Sequence, residues 1–240
     1  MTGAERRASR PALTRWSKIE RELRRSGTSL IAGVDEVGRG SLAGPVVACA
    51  IIMPPNERAI RGVDDSKRLT QRQRTRLAVK IRAKALAMGL GAASAREIDR
   101  LNIYHATVLA MRRALARLTL TPEHILVDGR QIRTLRVAHT AIVGGDARCF
   151  CIACASIIAK VTRDRLMRAL AVRHPGYGWD HNVGYGTLEH WNCLRAIGPV
   201  AHHRVTFTSP RQFSLDLDFS PPLVVDEAAA DADVLDAAAM

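Results

Sequence analysis

Aromatic side chains are scarce in this chain. Phe, Trp and Tyr make up 4% of its 240 residues, so a core has to be built mainly from Ala, Val, Leu and Ile. No apolar run approaches the roughly 18 to 20 residues of a membrane span. The arginines near the N-terminus are not followed by an uninterrupted apolar stretch, which argues against a signal peptide. The chain is therefore expected in the cytoplasm, away from membranes. Cysteine is limited to five residues, an odd number that argues against a secreted disulfide framework. Cys151 and Cys154 form a C-x-x-C pair, but no second pair exists to complete a zinc site. Their surroundings, CFCIACASIIA, are small and apolar rather than charged, so buried structural cysteine is the favoured reading over a redox or zinc site.

Basic residues are missing from the C-terminal end, where acids collect instead. Residues 214–240 hold seven acids (Asp216, Asp218, Asp226, Glu227, Asp231, Asp233, Asp236) and no Lys or Arg. The whole chain carries +13, so without those seven negative charges the first 213 residues carry +20. Such a balance favours a polyanionic partner, because neutralised phosphates release counterions. A preference for arginine codons is the competing explanation, since 31 of the 36 basic residues are Arg. Apolar content of 47% and charged content of 25% are those of an ordinary globular protein.

Local patterns divide the chain into a basic N-terminal arm (1–28), a domain (29–213) and an acidic tail (214–240) expected to be disordered. The arm has room for one short helix. SLIAGVDE and GPVVACAIIMPP read as strands, the second stopped by Pro54-Pro55. Thr70 and Gln73 have capping-box spacing and open a helix whose face carries Leu77, Ile81 and Met88 before glycines end it. Ser94 and Glu97 repeat the device ahead of Val108, Met111, Leu115 and Leu118. HILVDG and RVAHTAIVGG read as further strands, CASIIAKVTRDRLMRALAVRH as a helix to about His174, and Leu188 to Ala196 as a last helix. Interspersed strands and helices imply an α/β or α+β class around a mixed sheet.

The stretch VDEVGRGSLAGP, residues 34–45, carries the chemistry. Its glycines mimic a dinucleotide loop, but that fingerprint needs a helix after the turn, whereas β-branched VVACAII follows. Two carboxylates at the entrance would also repel a pyrophosphate. A solvated turn is the plain alternative. Against it, Asp35 and Asp128 each follow an apolar run, at the C-terminal ends of probable inner strands, where open sheets gather ligands. Asp164 continues the helical stripe of Ile157 and Val161, with Lys160 and Arg168 as possible pairing partners. If Asp35, Glu36, Asp128 and Asp164 meet, each pair about 4 Å apart repels by roughly 4 kcal/mol at an effective dielectric near 20. Divalent cations would relieve this, and oxygen-only ligands favour Mg²⁺ or Mn²⁺ over zinc.

GVDEVGRGSLAGPVV, DDSKRLT, LNIYHATVLAM, LVDG, GGDA, ASIIAKVTRDR, GYGT and HHRVTF together resemble the motifs of the ribonuclease HII family, in family order, over Leu30 to Phe207. The resemblance implies a ribonuclease H-like α/β fold, a mixed sheet flanked by helices, with a helical C-terminal part. It further implies an Mg²⁺- or Mn²⁺-dependent endoribonuclease acting on RNA–DNA hybrids and on duplex DNA at an embedded ribonucleotide; a monomer is expected. By position it assigns metal binding to Asp35, Glu36 and Asp128, with Asp164 as fourth acid. Gly38-Arg39-Gly40 would sense the ribose 2′-hydroxyl, and Tyr185 would pack on the neighbouring sugar. Arg39, and more weakly Ser66 and Lys67, are candidates for phosphate contacts. Ser41 stands where the family usually has proline, and Cys154 where alanine is commoner. The rival reading is a nucleic-acid-binding protein without chemistry, whose acids pair with its many arginines.

Overall fold

The computed structural model describes residues 17–55 and 58–207; the acidic tail and the first 16 residues of the arm lie outside them. Five strands form one mixed sheet: β1 (Ile31–Val37), β2 (Val46–Ile52), β3 (Ala87–Ala93), β4 (His124–Asp128) and β5 (Thr140–Ile142). Their order is β3-β2-β1-β4-β5. The first three strands run antiparallel to their neighbours, while β4 and β5 continue the sheet in parallel from β1. Among the described residues six α-helices accompany the sheet: α1 (Lys18–Arg25), α2 (Gln71–Lys84), α3 (Ala95–Ala116), α4 (Phe150–Arg173), α5 (Trp179–Asn182) and α6 (Leu188–Ile197). None in the described residues is long and apolar enough to cross a membrane.

The two faces of the sheet follow from strand alternation. Ala32, Val34, Ala48, Ala50 and Val127 pack beneath α3, against Ala106, Ala110 and Met111. Residues of the other parity face α4, including Cys49 and Ile51 against Ala153, Ile157 and Ile158. Small side chains let the helices come close: a Cβ at Gly33 would collide with the Cys151 backbone of α4. This packing explains the low aromatic content of the sheet core.

Both expected capping boxes form. Thr70 Oγ1 accepts from Gln73 N–H at 3.3 Å and Ser94 Oγ from Glu97 N–H at 3.3 Å, while the Gln73 amide oxygen and a Glu97 carboxylate oxygen accept the N–H groups of Thr70 and Ser94 in return. The helix after Thr70 ends sooner than its composition suggests. It stops at Lys84, and Met88, expected on its buried face, lies in β3. Ala, Leu and Met favour helix, but Gly89 and Gly91 sit where a Cβ would strike the carbonyls of Ala114 and Ala110 in α3. Close helix-on-sheet packing overrides the local preference. Helix α3 is also broken at Asn102, with φ 64°, and Asn102 Oδ1 caps the second segment by accepting from His105 N–H at 3.1 Å.

Helix α4 begins without a side-chain cap of its own. The missing acceptor comes from α1: Glu20 Oε2 and Oε1 accept the N–H groups of Phe150 at 3.1 Å and Cys151 at 2.8 Å. Glu20 also closes a capping box with Ser17, so one fully buried carboxylate serves two helix N-termini. Positive helix ends favour such an anion. Replacing Glu20 by Ala leaves two buried donors unmet, and a loss of about 2–3 kcal/mol is expected; Glu20→Gln should lose less. Urea denaturation of the two variants checks this.

Candidate functional site

The parallel register pairs Gly33 with Leu126 and Val34 with Val127. Extended by one residue, it sets Asp35 beside Asp128 on the α4 face of the sheet, at the C-terminal strand ends. Glu36 follows on the opposite face of β1, as alternation requires. Asp35 is buried, and its Oδ1 accepts from the Glu36 N–H at 2.8 Å. A hydrogen bond from Ser156 of α4 steadies it, and Ser156 Oγ lies 2.9 Å from Ser66 Oγ. Asp128 Oδ1 accepts the Gly145 N–H at 2.6 Å.

Burial, then the charges of Glu36 and Asp128, hold the Asp35 carboxyl well above the usual carboxylate range. Burial also raises Glu36, opposed by Arg39, whose Nη1 lies 3.2 Å from Glu36 Oε1, while Asp128 adds to the rise. Burial and the neighbouring like charges make Asp35 and Glu36 resist ionisation together.

Asp164, the fourth acid expected here, has cationic partners of its own. Asp164 is buried, but its Oδ1 takes the Lys160 ammonium at 2.6 Å and its Oδ2 faces Arg74 of α2 at 3.9 Å. It stands two turns beyond Ser156 on α4, about 12 Å further along at 1.5 Å per residue. Its place on the apolar stripe reflects this half-buried ion pairing between helices. Asp146, in the 3-10 turn Gly145–Ala147 that leads into α4, comes close instead. Burial raises its carboxyl group, with Asp65 and Asp128 adding and Lys67 opposing; Lys67 Nζ lies 3.3 Å from Asp146 Oδ2. The motif GGDA contained the signal: glycines let the chain turn tightly just before a helix, leaving the acid against the β4 carboxylate.

Among the described residues no three His, Cys, Asp or Glu side chains are drawn tightly enough to hold an ion. The donor set of Asp35, Glu36, Asp128 and Asp146 nevertheless fits a hard divalent cation. It is all oxygen, mutually repelling and partly desolvated, which suits Mg²⁺ or Mn²⁺ rather than zinc. The cysteines take no part: Cys49, Cys149, Cys151 and Cys154 are buried free thiols, and burial pushes each above its ordinary pKa.

Beside the acids runs the Gly38–Pro45 turn, fastened from below by two buried arginines. Arg204 donates to the carbonyls of Gly38 at 2.6 Å, Arg39 at 2.8 Å and Gly44 at 2.8 and 3.0 Å. Arg163 donates to Ala43, Pro45 and Val183 at 2.9–3.0 Å. In a trans peptide the N–H points opposite to the preceding carbonyl. With the carbonyls of Gly38 and Arg39 turned inward, the N–H groups of Arg39 and Gly40 point outward, at exposed positions. Gly38 has φ 90°, and a Cβ there would strike the Arg163 guanidinium; Gly40 has open space. The Ser41 hydroxyl is buried with no hydrogen-bond partner.

The glycines around Tyr185 bind this turn too, since Leu42 and Ala43 N–H both donate to the Gly184 carbonyl, at 2.8 and 3.2 Å. Tyr185 is half-buried, with Arg163 5.5 Å and Lys160 5.7 Å from its ring centre. The structure thus places Asp35, Glu36, Asp128, Ser66 and Lys67 at one end of the sheet, with the Gly38-Arg39-Gly40 turn beside them and the Tyr185 loop bonded to that turn.

A family model described as Ribonuclease HII matches residues 32–209. A ribonuclease HII of Paraburkholderia xenovorans (strain LB400) is 48% identical over 194 residues, 81% of this chain and 78% of that protein. One of Granulibacter bethesdensis is 48% identical over 216 residues, covering 88% and 95%. Among solved structures, the ribonuclease H2 of Pyrococcus horikoshii OT3 superposes with a TM-score of 0.65 at 27% identity, covering 76% of this chain and 96% of that one.

Two outcomes follow from the geometry. Gly38→Ala should destabilise the fold by about 2 kcal/mol or more, from backbone strain and the Arg163 collision, whereas Gly40→Ala should melt like the wild type. For Asp35 and Asp146 the folded pKa is raised, so the folded state keeps protons that the unfolded chain has released. Their contribution is most favourable below the unfolded values near 4 and declines as pH rises through the folded ones. Asp128→Asn keeps the bond to Gly145 and removes one charge. In chelator it should be about 1–2 kcal/mol more stable than wild type at pH 7 and equal to it in acid, as read by urea denaturation across pH.

Proposed function

The chain belongs to the ribonuclease HII family, whose members are metal-dependent nucleases of the ribonuclease H type, and we propose that it hydrolyses the RNA strand of RNA–DNA hybrids and incises duplex DNA on the 5′ side of an embedded ribonucleotide, leaving 3′-hydroxyl and 5′-phosphate ends. The observation that carries this reading is the juxtaposition of buried Asp35 and half-buried Asp128, at the ends of β1 and β4, with a glycine turn whose carbonyls are held inward by Arg204. In this reading the protein works as a monomer in the cytoplasm.

Asp35, Glu36 and Asp128 would hold Mg²⁺ or Mn²⁺, with Asp146 rather than Asp164 as the further acid. When bound, the cation supplies activation of the attacking water and neutralisation of the leaving oxygen. The remaining work falls to the chain's own groups. The outward N–H groups of Arg39 and Gly40 would meet the ribose 2′-hydroxyl, the group that separates RNA from DNA, at a distance only a side-chain-free turn permits. Tyr185 would lie against the neighbouring sugar. Arg39, half exposed beside Glu36, and Lys67, largely exposed beside Asp146, are placed to meet phosphate oxygens. Ser66 is buried and bonded to Ser156, so it would act by steadying Asp35 through that serine.

A DNA duplex carrying one ribonucleotide, incubated with Mg²⁺, Mn²⁺ or EDTA, tests the proposal. A nick on the 5′ side that needs the metal is expected, and Asp128→Ala should lower its rate by roughly a thousandfold while hybrid binding persists. Tight, salt-sensitive binding without any metal-dependent product would favour the non-catalytic reading, in which carboxylates such as Glu36 serve only to pair with arginines.

A further inference from the structure

Behind the Tyr185 loop lies a hydrogen-bonded network that the reaction reading leaves without a role. His190 of α6 is fully buried. Its Nδ1 lies 3.0 Å from the Tyr185 carbonyl oxygen, and its Nε2 lies 3.1 Å from the Trp179 indole nitrogen and 3.0 Å from His203 Nε2. His203, also buried, accepts the Val200 N–H on its Nδ1 at 3.0 Å.

These partners permit one arrangement of protons. A carbonyl only accepts, so His190 Nδ1 carries a hydrogen. An indole only donates, so His190 Nε2 offers a lone pair. A backbone N–H only donates, which leaves His203 Nδ1 bare and puts its hydrogen on Nε2, aimed at His190. Both rings are neutral, and the donors run in one direction, from Val200 through His203 and His190 to Tyr185. Hydrogen bonds aligned in this way polarise and strengthen one another. Around the pair stand Glu189 toward His190, and His174, His202 and the Tyr177 ring toward His203. Burial lowers both imidazole pKa values, that of His203 to about 3, in keeping with neutral rings.

The far end of the chain is tied to the glycine turn. His203 forms a β-bridge with Ala43, the adjacent His202 carbonyl accepts the Gly44 N–H at 2.8 Å, and Arg204 N–H donates to the Leu42 carbonyl at 2.8 Å. The network therefore spans the two elements that would contact substrate: the turn holding Gly38–Gly40 and the Tyr185 loop.

We propose that His190 and His203 are positioning residues for Tyr185, their one-way chain of hydrogen bonds setting the tyrosine backbone at a fixed place relative to the glycine turn. The proposal rests on the reading that Tyr185 packs against the sugar beside the scissile ribonucleotide. It assigns the histidines no contact with substrate and no proton transfer.

The test compares two replacements of His190. Asn can present an amide N–H near the position of Nδ1 and so keep the donor to Tyr185, whereas Gln presents its amide near Nε2 and loses it. Each variant would be made in the wild-type and the Tyr185→Ala backgrounds, checked for a wild-type near-UV spectrum, and assayed on the single-ribonucleotide duplex. His190→Gln should lower kcat/KM about tenfold, mainly through KM, and His190→Asn by no more than about twofold. In the Tyr185→Ala background His190→Gln should add less than about twofold, because the side chain being positioned is gone. His203→Asn, which keeps an acceptor for Val200 and loses the donor to His190, should behave as His190→Gln and serves where that variant does not fold. Equal losses from Asn and Gln, or a full additional loss on top of Tyr185→Ala, would overturn the positioning role. An impaired Tyr185→Ala beside a fully active His190→Gln would do so as well, with the sugar-packing reading intact. Wild-type cleavage by Tyr185→Ala would instead overturn the sugar-packing reading, and this proposal with it.

Discussion

The Arg204 guanidinium, fully buried, sends four hydrogen bonds into the carbonyls of Gly38, Arg39 and Gly44, and the shape of the candidate site depends on it. A planar, forked donor can satisfy several carbonyls at once, which a lysine ammonium cannot match in geometry. Burial, together with the nearby Arg163 charge, pulls Arg204 down to about 9, still protonated at neutral pH. Asp99 offsets part of that burden and also takes the N–H groups of Val205 and Thr206 at 2.9–3.0 Å, pinning the segment that carries Arg204. Arg163 does for Ala43 and Pro45 what Arg204 does for Gly38 and Gly44. With carbonyls drawn inward from below, the turn presents its N–H groups outward, and Gly38 must be glycine because the Arg163 side chain occupies the space of a Cβ.

The acids impose the opposite constraint. The sheet brings Asp35 and Asp128 side by side at adjoining strand ends, and α4 buries them from one side, so their repulsion works against folding when both ionise. Elsewhere the carboxylates are placed to stabilise: Glu20 caps two helices, Glu97 closes a capping box and pairs with Arg113 at 2.8 Å, and Asp164 joins α4 to α2. The contrast separates structural acids from the site. A group whose every oxygen has a donor holds the fold together. One that faces other carboxylates is arranged for something positive to come between them, and local rules are broken at functional sites for this reason.

Much of the architecture was legible in residue order. The apolar run in SLIAGVDE, the Pro54-Pro55 stop, and the Ser94 and Thr70 boxes are short-range signals, and their elements formed where the pattern pointed. The failures share one cause. Met88 was expected on the face of a helix with Leu77 and Ile81, yet it sits in β3, where Gly89 and Gly91 beside it leave no room for a Cβ against α3. Asp164 was expected among the acids because it continues a buried stripe, yet its burial comes from Lys160 and from Arg74, ninety residues earlier. Asp146 carried only the weak local signal of an acid in a glycine turn ahead of a helix, and its approach to Asp128 is set by packing.

By itself the sequence determined the class of the molecule, the strands that end in Asp35 and Asp128, the need for a flexible turn between two of them, and membership of a family through motifs kept in order. These depend on periodicity, capping and residue type, which act over a few neighbours. Only the tertiary structure decided that Asp146 comes near Asp128, that Glu20 caps a helix 130 residues away, and that His190, His203 and Arg204 reach the backbone of the Tyr185 loop and the glycine turn. Those contacts are set by how sheet and helices pack. No local pattern records them, because each partner is chosen by distance in space and by the demand that every buried donor find an acceptor.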